Sequence, residues 1–332
     1  MSNVVIAPKT IPAKRELTTL PRFSDRVFRG IVTSGGFSSL LILGLIFVFL
    51  AYQGFSVLRS QGISFITGSA WEVITDDAGN VIAADTKFGL AAMLVGTLLC
   101  ALIAVIIAVP ISVLTALYLT FYAPPFIKRI MVAVIDLMAA FPSILFGLWG
   151  FFILMPSVEY WAKLLHKYFG FFPFFKMEVP IYTRSPFVAG VVLAVMIIPI
   201  ITSVSREIFS QTPLDRIQAA YALGATRWSM VKAVALPYAK SGVVGGAMLG
   251  LGRAMGETVA VYTVLNVIYQ INWHVLLGAG GNVASMILLK FGEAGPQEIK
   301  ALMAAGLVLF LLTLLVNSLA NLIVKTSGGK GR

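Results

Sequence analysis

Cysteine, histidine and charge are what this chain has least of. A single cysteine, Cys100, stands among 332 residues, inside an apolar run. No disulfide framework and no thiolate metal site can be built from it. The two histidines, His166 and His274, are far apart and lack ligand partners at useful spacing, so no metal site is expected. Charged residues make up 12% of the chain and hydrophobic ones 58%, and the mean hydropathy is +0.92. Soluble domains carry about a quarter charged and about half apolar residues. The departure in both directions reads as a polytopic membrane protein. There is no G-x-x-x-x-G-K-[ST] loop, so no P-loop ATP site and no cofactor is expected in this chain. H-E-x-x-H, G-x-S-x-G and Cys/His clusters are missing too, so no catalytic residue is named. The terminal GGKGR lacks the strand–helix context of a phosphate loop. Residues 1–30 are basic and too polar for the apolar core of a cleavable signal peptide. No internal repeat and no second soluble domain is visible.

Apolar length is what the chain does have. A crossing helix needs about 20 such residues. Six spans are expected, near 31–58, 88–122, 130–156, 186–205, 241–270 and 301–324. The second is too long for one upright helix, so Pro110 is expected to kink it. Pro199 is expected to interrupt the fourth. Between the first two spans, Trp71, Asp76, Asp77, Gly79 and Asn80 give strand and turn signals. An aromatic loop at about 157–185, with Tyr160, Trp161 and Tyr168, suits the membrane interface. The segment ASMILLKF is too short to cross and reads as re-entrant. Residues up to about Pro21 read as disordered.

A net charge of +11 fits nucleic acid in principle, but the basic residues cluster at span ends, which membrane topology explains better. Sixteen Lys and Arg lie in the two tails, the turn at 123–129 and the loop 206–240, against eight in the alternate loops. That excess puts both termini and the 206–240 loop in the cytosol. The organisation expected is a cytosolic tail over 1–30, a six-span domain over 31–325 with a cytosolic loop at 206–240, and a tail over 326–332. The expected setting is the bacterial cytoplasmic membrane, with lipid and not nucleic acid around the chain.

The most informative stretch runs from Thr212 to Glu257. Its polar half reads as a helix–turn–helix. Thr212 is placed as N-cap with Pro213 at the first helical position and Asp215 completing a capping box. Gly224 ends that helix, Thr226 caps a second, and Pro237 is expected to stop it. The apolar half carries two charges. At 100° per residue, Gly246, Gly250, Arg253 and Glu257 share one helix face. An ionised group in hydrocarbon costs a few kcal/mol at least and normally faces a partner or a water-filled path. Two readings stay open. Either Arg253 grips an anion bidentately, with Glu257 one turn away holding it when the site is empty, or the two form a structural ion pair beside close-packing glycines. Asp136, within a span, and Ser143, beside a kink at Pro142, are weaker candidates for the same path. Thr97 is expected to bond back to its own helix.

The loop QAAYALGATRWSMVKAVALP resembles the EAA motif of ABC-importer permeases, carried by Gln218, Ala219, Ala220, Gly224, Leu236 and Pro237. In that family this element docks into a groove of a cytosolic ATPase. Gln218 stands where the family usually has Glu, which removes the charge on which an ion pair to the ATPase would rest. LMAAFPSILFGLWG, MIIPIITSVSREIFSQTP and GLGRAMGETVAV, in that order, resemble the C-type permeases of phosphate-specific (Pst) importers from about Gly62 to Val324. The likeness is weak in the N-terminal tail and at 157–185. It implies an all-α, six-span type I importer fold and assigns Arg253 and Glu257 to phosphate translocation. The implied partners are a second related permease, two copies of an ATP-binding subunit, and an extracytoplasmic phosphate-binding protein. Another oxyanion, such as sulfate or molybdate, is the main alternative substrate. A secondary carrier would need its own coupling-ion site and usually an inverted repeat, and neither is visible.

Overall fold

Helices make up most of the structure, and several of them lie against one helix in the middle of the chain. The computed structural model describes residues 23–74, 86–177 and 181–328. The disorder expected before Pro21 and the turn at Asp76–Asn80 lie outside those residues. Two units are distinguished, up to Phe49 and from Leu50 onward. The first is the leading part of helix α1 (Phe23–Gln61), where every side chain from Phe23 to Phe49 is exposed. The expected span 31–58 lies within this helix.

From Leu50 on, α2 (Ser64–Thr67) and a short antiparallel pair, β1 (Trp71–Glu72) and β2 (Lys87–Phe88), lead into α3 (Ala91–Leu117). There follow α4 (Pro125–Ala140), α5 (Ser143–Trp149), α6 (Met155–Phe169) and α7 (Pro186–Ser210). The remaining helices are α8 (Leu214–Ala222), α9 (Arg227–Met230), α10 (Leu236–Gly256), α11 (Val259–Val264), α12 (Val283–Phe291) and α13 (Pro296–Gly328). Six helical stretches are long and apolar enough to cross a membrane.

The central helix is α7, against which α3, α4, α10 and α11 lie. Ala101, Ala104 and Ala108 of α3 are buried with Val188, Val192, Leu193, Ile197 and Ile201 of α7. Small residues let the backbones approach where lipid provides no hydrophobic drive between helices. The same device sets α10 on α7. A Cβ on Gly242 would stand 2.6 Å from Ile208, one on Gly246 3.1 Å from Val204, and one on Gly250 2.7 Å from Ile201. Pro199 does not interrupt α7, and Pro110 lies inside a continuous α3. Each removes one ladder bond to the carbonyl four residues back. Nearby, Ser112 Oγ donates to the Ile198 carbonyl at 3.1 Å and joins α3 to α7.

Three π turns, Tyr118–Tyr122, Gly150–Leu154 and Val231–Ala235, each stand two residues before a proline: Pro124, Pro156 and Pro237. In each, the residue before the proline donates five residues back: Ala123 to Tyr118, Met155 to Gly150, Leu236 to Val231. A proline ring clashes with the carbonyl four residues earlier in an α-helix. The wider turn relieves that clash, so α9, its π turn and α10 run on as one helix from Arg227 to Gly256. The expected stop at Pro237 does not occur.

The third stretch long and apolar enough to cross is Ser143–Phe169, so the expected span 130–156 is split and only its part from Ser143 belongs to that stretch. Phe141 and Pro142 are extended (ψ 136° and 139°) between α4 and α5. Asp136 of α4 meets Ser203 of α7, and Gly150 meets Val192. The chain therefore climbs α7 antiparallel from α4 through α5. Residues 157–169, expected as loop, belong to the amphipathic helix α6. The expected re-entrant segment is α12, which at nine residues is about 14 Å long.

Candidate functional site

The charged pair does not share a helix face. Helix α10 ends at Gly256, and Glu257 follows it in extended conformation (ψ 126°) before α11 begins. The 100° arithmetic holds to Arg253 and fails one residue past the helix end. Arg253 is exposed on the surface of this chain, whereas Glu257 is buried. Among the described residues the ion pairs are Lys163–Glu159 and Lys290–Glu298. Arg253 and Glu257 do not pair.

The break at Glu257 is braced from outside. Asn282 Nδ2 donates to the Glu257 carbonyl at 2.8 Å, and Asn282 Oδ1 accepts from Ser285 N at 2.7 Å, capping α12. The Glu257 carboxylate accepts from Ala260 N at 3.4 Å, at the start of α11. One residue on, Val283 N donates to Thr97 Oγ1 at 3.1 Å, and Thr97 donates back to the Met93 carbonyl. Asn282 and Thr97 thus tie the break to α3 and α12. The sequence held only a faint sign of this in Asn282-x-x-Ser285, an N-cap pattern.

The weaker candidates lie elsewhere. Asp136 is exposed, and its Oδ1 accepts from Ser203 Oγ at 3.4 Å. Gly250 meets α7 at Ile201 and Ile197. Arg253, one turn on, is therefore roughly 10 Å further along α7 than Ser203, and Asp136 does not reach it. Ser143 is half-buried at the first position of α5.

The polar half of the 212–257 stretch is a helix–turn–helix with a different start. Thr212 is buried and donates to the Phe209 carbonyl at 2.8 Å, so it closes α7 instead of capping α8. Pro213 takes the cap position, with Asp215 in the first turn. At the other end Gly224 adopts φ +81°, Gly224 N donates to Tyr221 O and Ala225 N to Ala220 O. That is a Schellman closure, which a side chain at φ > 0 would strain. Thr226 Oγ1 accepts from Ser229 N at 3.2 Å and caps α9 as expected. No residue of α8 is buried. Gln218 and Ala219 are exposed and Ala220 is half-buried, while Leu214, Leu223 and Trp228 are 68%, 90% and 57% exposed. A loop that leaves two leucines and a tryptophan uncovered has a surface shaped for a partner.

These features agree with what the chain resembles. A family described as binding-protein-dependent transport system inner membrane component matches residues 108–327. A Mycobacterium tuberculosis protein named phosphate transport system permease protein PstC 2 is 47% identical over 218 residues, 65% of this chain and 66% of that protein. The Haemophilus influenzae protein named phosphate transport system permease protein PstC is 40% identical over 222 residues, 65% of this chain and 70% of that one. The match thus spans about two thirds of the length of these relatives. Among solved structures, a bacterial alginate ABC transporter aligns with a TM-score of 0.56 at 14% identity, over 94% of this chain and 100% of that one. The MetNI methionine ABC transporter aligns at 0.50 and 22% identity, over 72% and 94%. At such identities the likeness speaks for the fold, which is that of ABC-importer membrane subunits. With two thirds of its length matched and its six apolar stretches built into that fold, the chain belongs to the family of binding-protein-dependent transport system inner membrane components.

Proposed function

We propose that this chain is the permease subunit of an ATP-driven importer of inorganic phosphate, in the bacterial inner membrane with both termini cytosolic. It would form half of the path beside a second related permease. Two ATP-binding subunits would dock on the α8–α9 loop, and an extracytoplasmic phosphate-binding protein would deliver the anion. The observation that carries the reading is Arg253. It is exposed on this chain's own surface, within a crossing helix, and an arginine facing lipid at that depth costs several kcal/mol. A water-filled path at a subunit boundary removes that cost and turns the guanidinium toward an anion it can hold through two hydrogen bonds. Phosphate is chosen over other oxyanions because relatives 40–47% identical carry that substrate in their names.

The chemistry asked of this chain is binding and motion, with ATP hydrolysis in the partner. The continuous helix from Arg227 to Gly256 spans about 45 Å. A push on α8 and α9 therefore reaches Arg253 through one rigid body, and the Glu257 break lets the helix end turn without dragging α11. Alternating access follows if ATP biases which way that body is tilted. A structural role for Arg253 as the partner of Glu257 is disfavoured, because the two do not meet.

The test is ATP-dependent phosphate uptake into proteoliposomes holding the whole complex, with Arg253→Gln beside wild type. Uptake is expected to be lost while assembly and basal ATP hydrolysis persist. Wild-type uptake by the variant would return Arg253 to a packing role. A complex that moves sulfate or molybdate and not phosphate would replace the substrate.

A further inference from the structure

A second arginine, Arg184, is held in a cavity that no motif announced. It stands in the loop before α7, at the end of that helix opposite the α8–α9 loop, about 37 Å away by helix rise. Its backbone adopts φ +53°, the one non-glycine residue with positive φ among those described. An arginine pays for that conformation, and such strain persists where the surroundings over-determine it. The surroundings are visible. Nη1 donates to Asn266 Oδ1 at 2.7 Å, and the guanidinium lies over the Phe151 ring at 5.2 Å. The half-buried charge meets a neutral amide and a ring, and no carboxylate among the described residues pairs with it.

Around it is a cavity of about 400 Å³, lined also by Tyr262, Thr263, Asn266 and Leu148. No acidic side chain lines it. Asn266 spends its oxygen on Arg184 and keeps its NH₂ free to donate. Thr263 spends its proton on the Ala260 carbonyl. The cavity therefore offers one unpaired cation and N–H donors. A cationic ligand would find no carboxylate to pair with, whereas an oxyanion would meet the guanidinium. The guanidinium fork, with one donor anchored on Asn266 and others open, matches two oxygens of a tetrahedral anion.

We infer that the Arg184–Asn266 cavity is an anion-binding antechamber on the path to Arg253, taking a tetrahedral oxyanion of the phosphate or sulfate class before it reaches the middle of the membrane. The cavity and Arg253 are linked along the chain, since α11 and Asn266 follow the Glu257 break directly. The role as antechamber rests on the transport reading above; the anion preference of the cavity does not.

The experiment places a thiol in the cavity and reads its electrostatics. In the assembled, detergent-solubilised complex, Thr263→Cys is reacted with methanethiosulfonates bearing either a sulfonate or a trimethylammonium group. The native Cys100 is buried and stays silent. The sulfonate reagent is expected to react about tenfold faster than the cationic one, the lower end of what a focused charge achieves in a cleft. Millimolar phosphate is expected to slow labelling. Adding Arg184→Gln is expected to abolish both effects, whereas Arg184→Lys keeps the charge preference and shows that the fold survives replacement. Equal rates for the two reagents, or a ratio unmoved by Arg184→Gln, would overturn the inference and leave Arg184 as a tether between the Phe151 turn and Asn266. Phosphate uptake measured in parallel separates the two claims. Charge-selective labelling in a complex that moves no phosphate removes the substrate reading and keeps the cavity as an anion site; uptake with equal labelling removes the cavity alone.

Discussion

Gly96 of α3 faces the backbone of Gly281 so closely that a Cβ on Gly96 would overlap the Gly281 carbonyl oxygen. This contact seats the loop whose next residue, Asn282, braces the Glu257 break. Both sides of it are backbone and neither can step aside. Gly96→Ala is therefore expected to destabilise the subunit by about 1–3 kcal/mol, in the range for overpacking. Gly281→Ala should be milder, because its Cβ would meet the flexible Met93 side chain, 2.6 Å from the sulfur. Thermal unfolding of the purified complex checks the order, and equal midpoints would contradict it.

Asn282 does two jobs with one side chain. Replacing it by alanine leaves the Glu257 carbonyl and Ser285 N without their partners, both in buried surroundings. A loss of about 2 kcal/mol is expected from a missing cap and an unsatisfied buried group. Asn282→Ser keeps an acceptor that can cap α12 and gives up the donor to Glu257, so its melting temperature should fall between alanine and wild type. If serine is as damaging as alanine, the cap is not what Asn282 supplies.

Gly224 has no atom within 4 Å of a would-be Cβ, so its cost on substitution is purely that of φ +81°. Gly224→Ala should cost about 1 kcal/mol and Gly224→Asn less. Because α8 buries no residue and packs on its neighbours only through the half-buried Ile217 and Ala220, assembly in the membrane should survive. ATP-driven uptake should fall in the order Gly, Asn, Ala. A fall in membrane levels without a fall in uptake per complex would point to folding instead of coupling.

Tyr269 carries a buried hydroxyl with no hydrogen-bond partner. Its ring stacks on Trp71, whose Nε1 donates to Glu298 at 2.8 Å. Burial, and then the negative charge of Glu298, push its pKa up to about 12 from 10.0. The folded state thus holds the phenol proton more tightly than the unfolded one. Stability from this group is intact below pH 10 and is lost as pH rises from there through about 12. Tyr269→Phe should be neutral or slightly stabilising at pH 7, since it removes an unsatisfied buried group. The difference between wild type and variant should change in the alkaline window alone. A difference that varies below pH 9 would exclude this origin.

How far residues alone reach is clearest along 212–257. Thr226 and Gly224 act through neighbours three or four residues away, so the cap and the turn were legible. The apolar runs that cross a membrane and the paucity of charge were legible for the same reason, as local sums over a window of one helix. Pro237, Pro199 and Glu257 were misjudged together. A proline stops a helix only if nothing relieves its clash; before Pro237 a π turn does so, and Pro199 sits within the continuous, closely packed α7. A helix face continues only while the helix does, and α10 ends one residue before Glu257.

What composition and periodicity determined is therefore the class of molecule: six apolar crossings, an exposed helix–turn–helix, and a charge set inside a membrane helix. Tertiary structure decided which charges meet. Arg253 and Glu257, four residues apart, do not pair, whereas Arg184 and Asn266, far apart in the chain, hydrogen-bond. The physical reason is range. Hydropathy, capping and turn chemistry are settled within a few residues, but a hydrogen bond between loops at one end of α7 exists only after α5, α7 and α11 have packed.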